Sequence, residues 1–320
     1  MFAILIILAA MAVAYANGAN ANFKGVASLF GSNTTGYWTA LRWAAVTTAA
    51  GCLASILLMG TMMTAFTGKG LVPDSLVGHP DFMFAVAAGA GLANLLATRL
   101  GFPVSTTHML MGALLGAGLA ADPSGVKLAA LWGTFAKPLL IAPILAIMLG
   151  GILYRVLRML RLAPDHRTRS LDALHFLSAG AVSFARGMND TPKMAALLVG
   201  VGGLGVEVSL LLVMITITVG GLFGARRVAD TLAHKITGMN PGQGFAANLA
   251  TSLLTTTASF HGLPVSTTHV SVGALLGIGI TTKQARWKTV IPVLMAWVIT
   301  LPCSALLSAL IWWLSKLWSR

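Results

Sequence analysis

GFPVSTTHMLMGALLGAG at residues 101–118 and GLPVSTTHVSVGALLGIG at residues 262–279 share thirteen of eighteen letters. A chain that repeats a motif this closely is built from two related units, and every other feature is read in that light. In each copy the proline cannot continue a preceding helix but suits the first turn of a new one. Ser105, Thr106, Ser266 and Thr267 can cap or line that turn. Each copy then runs into GALLG, whose small residues allow helices to approach closely. The expected object is a half-helix whose N-terminus points into the protein. Its free N–H groups, the positive end of its dipole and its hydroxyls form an anion site. Two such ends brought together by pseudo-symmetry would surround a tetrahedral oxyanion. The alternative is that the hydroxyls bond back to their own helices, and the matched duplication weighs against it.

Composition sets the environment of these motifs. The 320 residues are 57% hydrophobic and only 9% charged, against roughly 45–50% apolar and 25% charged in a soluble domain. This predicts an all-α polytopic membrane protein. Apolar runs lie near residues 1–17, 40–66, 82–98, 103–121, 127–157, 171–185, 206–225, 243–260, 265–281 and 289–315; a helical span takes about 20 residues. Ten spans follow, with ten to twelve as the range, because several runs are short or interrupted and are candidates for broken or re-entrant segments. The opening run lacks the basic start of a signal peptide and matches residues 171–185 in place, so it reads as a retained span.

The net charge of +13 does not indicate nucleic acid, because no basic run carries interleaved aromatics. Positive residues instead gather in loops, as membrane topology requires. Arg155, Arg158, Arg161, Arg167 and Arg169 mark one such loop, Arg226, Arg227 and Lys235 a second, and Lys283, Arg286 and Lys288 a third. With these on the cytoplasmic side, both termini face outside. Cys52 and Cys303 stand singly in apolar runs and read as small core residues.

The basic segment RVLRMLRLAPDHRTRS divides the chain into a first repeat at 1–154, a cytoplasmic linker at 155–170 and a second repeat at 171–320. A weaker correspondence joins ANGANANFKGVA at Ala16 with ARGMNDTPKMAA at Ala185, where Ala16/Ala185, Gly18/Gly187, Asn20/Asn189, Lys24/Lys193 and Ala27/Ala196 agree. Five spans per half is odd, so the second copy enters the membrane from the opposite side. Inverted repeats of this kind belong to secondary transporters, which hold a midplane site between two halves that rock about it.

The chain has eight acidic residues, most of them in predicted loops. Asp190, in GMND, is placed by its neighbours at a helix break inside the membrane, where an ionisable group marks function. Asn189 and unwound carbonyls would complete an oxygen-rich site for Na⁺ or a proton. Glu207 reads as interfacial. Lys24 and Lys193 either neutralise an anion or snorkel to the interface. His108 and His269 are either buried hydrogen-bonding groups or contacts to substrate or proton, and no third ligand is spaced for a metal.

These motifs carry a resemblance. With a GxND-type and a PVSTTH-type segment in each half, in the same order over nearly the whole length, the chain resembles the inorganic phosphate transporter family. The resemblance implies a cation-coupled importer of inorganic phosphate working by alternating access, a homodimer in the cell membrane. It places Asn20, Asn189 and Asp190 in the cation and phosphate region, and Ser105, Thr106, Thr107, Ser266, Thr267 and Thr268 around the phosphate. No cofactor is implied, and Na⁺ enters only as a coupling ion. One residue departs from the pattern: in NGANANFKG, Ala21 stands where the signature has aspartate. The chain then couples with fewer cations, uses protons through Asp190 alone, or transports weakly.

Other classes are set against this. A permease for sulfate or a similar oxyanion shares the donor chemistry, although a carboxylate acceptor would favour phosphate, which can itself donate a hydrogen bond. An intramembrane enzyme is disfavoured by the lack of HExxH, GxSxG or paired aspartates. A passive channel differs in failing to concentrate its substrate.

Overall fold

The computed structural model describes residues 2–199 and 204–318. The chain is helical almost throughout, and among the described residues the extended pairings are single bridges at Lys69–Val72 and Thr237–Ala285. The first half contains α1 (Phe2–Ala21), α2 (Ala27–Gly31), α3 (Tyr37–Ala54), α4 (Met59–Phe66), α5 (Pro80–Arg99), α6 (Thr106–Ala121), α7 (Leu128–Leu131) and α8 (Lys137–Met159). The second contains α9 (Arg169–Ala195), α10 (Val206–Gly224), α11 (Arg226–His234), α12 (Pro241–Phe260), α13 (Thr267–Thr281) and α14 (Trp287–Trp318).

Six helical segments among the described residues are long and apolar enough to cross a membrane: Ala3–Lys24, Tyr37–Leu57, Pro80–Arg99, Leu128–Met159, Val206–Gly224 and Trp287–Leu317. Two shorter apolar helices, α6 and α13, are the ones headed by the repeated motif. The run at 40–66 is divided by a 3₁₀ segment at Ser55–Leu58, so it forms α3 and α4 and not one rod. A π-helical turn at Trp132–Ala136 joins α7 to α8.

Polarity is arranged inside out relative to a soluble protein. The apolar α14 turns Val298, Leu306 and Leu317 outward, and Cys303, expected in the core, is also exposed there while Cys52 is buried. An apolar run does not distinguish core from lipid, because both solvate it equally. The long helices richest in polar residues, α9 and α12, lie inside. From Ala185 to Ala195 every residue of α9 is buried.

Since lipid removes the hydrophobic drive for helix association, close contact must come from shape. The repeated GALLG segments supply it. A Cβ on Gly112 would strike the carbonyl of Leu301 on α14, and one on Gly277 would strike that of Ile147 on α8. The same reciprocity holds elsewhere: Gly18 of α1 abuts the carbonyl of Ile217 on α10, while Gly187 of α9 abuts that of Thr48 on α3. Helices of the first half are thus interleaved with helices of the second.

Candidate functional site

Both repeated motifs begin with a glycine in the left-handed region, Gly101 at φ 78° and Gly262 at φ 64°, which turns the chain back toward the centre. The extended residues after it lead into α6 and α13. The Ser105 hydroxyl accepts from the His108 N–H at 3.1 Å, and the Ser266 hydroxyl from the His269 N–H at 3.1 Å. Both serines therefore act as N-caps. Ser105, Thr106, Thr107, Ser266, Thr267 and Thr268 are all buried, so the half-helix N-termini do face the interior of the protein.

Asn20 fixes the entry to α6. Its amide donates to the Phe102 carbonyl at 2.9 Å and to the Thr98 hydroxyl at 3.0 Å, and its oxygen accepts from the Val104 N–H at 3.0 Å. Asn189 occupies the matching place in the second half and donates to the Ser259 hydroxyl at 2.8 Å. Asn20 is thus a positioning residue with both ends of its amide engaged.

The two lysines settle between the halves and do not snorkel. Lys193 Nζ donates to the Thr107 hydroxyl at 2.8 Å, the Val265 carbonyl at 2.9 Å, the Asn189 amide oxygen at 2.5 Å and Asp190 Oδ1 at 3.1 Å. Lys24 Nζ donates to the Val104 carbonyl at 3.3 Å and to the Thr268 hydroxyl. Thr107 in turn donates to the Val265 carbonyl at 3.2 Å, and Thr268 to that of Val104 at 2.5 Å. The two arrangements are the same figure drawn twice, each lysine bridging its own half's extended segment to the other half's threonine.

Asp190 does not sit at a helix break, contrary to expectation. It lies within α9, which runs unbroken from Arg169 to Ala195 and includes Pro192. Hence α9 offers no unwound carbonyls of its own there, and the free carbonyl nearby, that of Val265, comes from the extended segment before α13. Its carboxylate is held by side chains: Lys193 at 3.1 Å, Arg186 Nε at 3.7 Å, the Asn17 amide at 3.1 Å and the Thr267 hydroxyl at 3.4 Å. The helix can stay intact because those partners, and not main-chain groups, compensate the charge.

Arg186 and Asn17 were not singled out from the sequence. Arg186 donates to the Asn17 oxygen at 2.8 Å, the Asn22 oxygen at 3.1 Å and the Thr48 hydroxyl at 3.2 Å. Asn17 also donates to the Thr106 hydroxyl at 2.9 Å, and Asn94 donates to the same hydroxyl at 3.1 Å. The signal for Arg186 was present: a charge inside an apolar run marks a functional candidate whatever its sign. Asn17 and Asn94 had no such mark.

The histidines form a separate pair beside the N-termini. Their rings stand 4.5 Å apart, and His269 stacks on Trp297 at 3.8 Å. Glu207 is exposed in the first turn of α10, outside the centre.

Charge decides what this centre can do. Lys24, Arg186 and Lys193 are 3%, 1% and 0% exposed, and Asp190, 3% exposed, is the acidic side chain that faces them. Three bases less one acid leaves an excess of two basic groups out of contact with water. Burying an unpaired charge costs several kcal/mol, and here hydroxyls and two helix N-termini converge on the same place. The arrangement is suited to an oxyanion carrying two charges.

Comparison with known proteins agrees with this chemistry. The chain matches the Phosphate transporter family over residues 17–174 and 163–308. It is 34% identical over 277 residues to a probable low-affinity inorganic phosphate transporter of Rhizobium meliloti (strain 1021), covering 82% of each chain. A Bacillus subtilis (strain 168) protein of the same description is 27% identical over 323 residues, covering 96% of this chain and 95% of that one. A solved structure described as the sodium-dependent phosphate transporter superposes with a TM-score of 0.85 at 21% identity, over 99% of both chains, and so shares the fold. The protein with two helix N-termini facing a buried excess of basic side chains is therefore a multi-pass membrane member of the phosphate transporter family.

Proposed function

We propose that the protein is a secondary transporter that imports inorganic phosphate, driven by a cation gradient, through alternating access. The observation that carries this reading is the buried excess of two basic groups beneath the paired N-termini of α6 and α13. A phosphate dianion would balance that charge, and the threonine hydroxyls of both copies would supply further hydrogen bonds. The relatives' description as inorganic phosphate transporters supports the same substrate.

The reciprocal lysine and glycine contacts support two inverted halves, 1–154 and 171–320, about a pseudo-two-fold axis. In this reading the six long apolar helices together with α6, α9, α12 and α13 make the ten spans. The basic 155–170 segment faces the cytoplasm and both termini face outside. Interleaved halves support an anion site lying between them, which rocking would open to one side and then the other. A homodimer in the cell membrane completes the proposal.

Radiolabelled phosphate uptake into proteoliposomes tests it, under an inward Na⁺ or H⁺ gradient and with unlabelled sulfate as competitor. Accumulation above the external concentration that resists sulfate is the expected result. Equilibration without accumulation would reduce the protein to a passive pathway, and competition by sulfate would broaden its substrate to tetrahedral oxyanions.

A further inference from the structure

We propose that the Lys193 ammonium is a tethered cation that fills the place a coupling Na⁺ would take, so that this chain binds and moves phosphate without sodium. The proposal rests on the phosphate reading above and deepens it by naming which coupling ion is dispensable.

The environment of Lys193 Nζ is that of a bound metal cation. Four oxygens of four kinds converge on it: the Asp190 carboxylate at 3.1 Å, the Asn189 amide at 2.5 Å, the Thr107 hydroxyl at 2.8 Å and the Val265 main-chain carbonyl at 2.9 Å. They come from α9, from the start of α6 and from the extended segment before α13. Hard cations are bound by such sets of carboxylate, amide, hydroxyl and carbonyl oxygens. Asn189 and Asp190 are also the two second-half residues expected from the sequence to hold the cation. The structure shows them already occupied by a positive charge covalently fixed three residues along the same helix.

Charge balance excludes sharing. The shell contains one carboxylate, which compensates one cation. A sodium ion added to the same oxygens would face the ammonium at contact distance, and Arg186 Nε approaches the same carboxylate at 3.7 Å. The first half repeats the figure with less negative charge still. Lys24 lies against the Val104 carbonyl and the Thr268 hydroxyl, and the position equivalent to Asp190 is Ala21, fully buried. Among the described residues, neither copy of the motif retains a carboxylate free to receive Na⁺. The two positive charges that sodium ions would bring with a phosphate dianion are supplied by the chain, and of the two candidate coupling ions this leaves the proton.

The test uses the purified full-length protein and ²²Na⁺ in a scintillation proximity assay, alongside phosphate uptake with Na⁺ replaced by N-methylglucamine under a constant H⁺ gradient. The wild type is expected to bind no ²²Na⁺ and to keep its uptake within about twofold when sodium is removed, whereas Lys193→Ala gains ²²Na⁺ binding and loses phosphate binding about tenfold in sodium-free buffer. Saturable ²²Na⁺ binding by the wild type, or a tenfold fall in its uptake on removing Na⁺, would overturn the assignment whether or not the variant folds. A protein that moves no phosphate under any gradient would instead overturn the transport reading. The ²²Na⁺ measurement on the wild type needs no phosphate and decides the Lys193 assignment independently.

Discussion

Asp190 is the side chain whose loss the centre tolerates least. It faces Arg186, Lys193, Asn17 and Thr267 at once, so Asp190→Asn leaves the basic groups without their acidic partner. Breaking a buried pair from one side costs roughly 3–5 kcal/mol. The variant is expected to lose concentrative uptake and to melt at lower temperature in detergent, with phosphate recovering part of that loss by binding the folded state. Unchanged uptake would remove Asp190 from the mechanism. Ala21→Asp probes the opposite change. By the relation of Asp190 to Lys193, an aspartate at 21 would meet Lys24 three residues later and reduce the excess basic charge from two to one. Phosphate affinity is then expected to fall about tenfold, near 1.4 kcal/mol, as measured by equilibrium binding. A rise in affinity would show that the buried charge excess does not hold the anion.

At the scale of elements, the helices meet through glycines and are aimed by caps. Gly112→Ala drives a Cβ into the Leu301 carbonyl on α14, and overpacking of this kind costs about 1–3 kcal/mol. Gly133→Ala is the matched control, since a Cβ there meets nothing within 4 Å, and it should leave the melting temperature level or slightly raised. Thermal unfolding of both variants in one detergent checks the contrast. Ser266→Ala removes the acceptor for the His269 N–H and should cost about 1 kcal/mol. Because that cap orients the end of α13 toward the site, phosphate binding is expected to weaken as well. The unbroken α9 is the element that hydropathy misjudges most. A run of Arg, Asn, Asp and Lys reads as an interruption when taken one residue at a time, yet each of these side chains is buried and partnered, so the helix has no reason to open.

At the scale of the molecule, orientation is the property to measure. Between α8 and α9, Arg161 and Arg167 are exposed, with Arg167 paired to Asp172 at 2.7 Å. Trypsin added to sealed inverted vesicles is expected to cut there and sever the link between the two halves, while in right-side-out vesicles this segment stays uncut and only outer sites such as Lys69 and Lys127 are reached. Cleavage from the outer side would reverse the topology and the assignment of both termini. Since Lys24 reaches Thr268 and Lys193 reaches Thr107, the proposed anion site spans both halves, and severed halves are expected to bind phosphate only while they stay associated.

The membrane setting, the two repeated motifs, their order and the capped half-helices were all legible in the sequence. Each depends on neighbours along the chain: hydropathy over a window, a proline followed by hydroxyls, a glycine every fourth residue. The burial of the six hydroxyl residues at two facing N-termini followed from reading those motifs as a pair. The roles of Lys24, Lys193, Arg186 and Asn17 could not be read that way. A lysine near the end of an apolar run snorkels or turns inward according to what lies opposite, and what lies opposite Lys24 is 244 residues away. Whether Asp190 faces a bound ion or a tethered ammonium depends on the rotation of α9 against α6 and α13, a relation with no local pattern to announce it. Hydropathy reports how much charge the membrane must accommodate, and only the packing of helix against helix settles which charges meet.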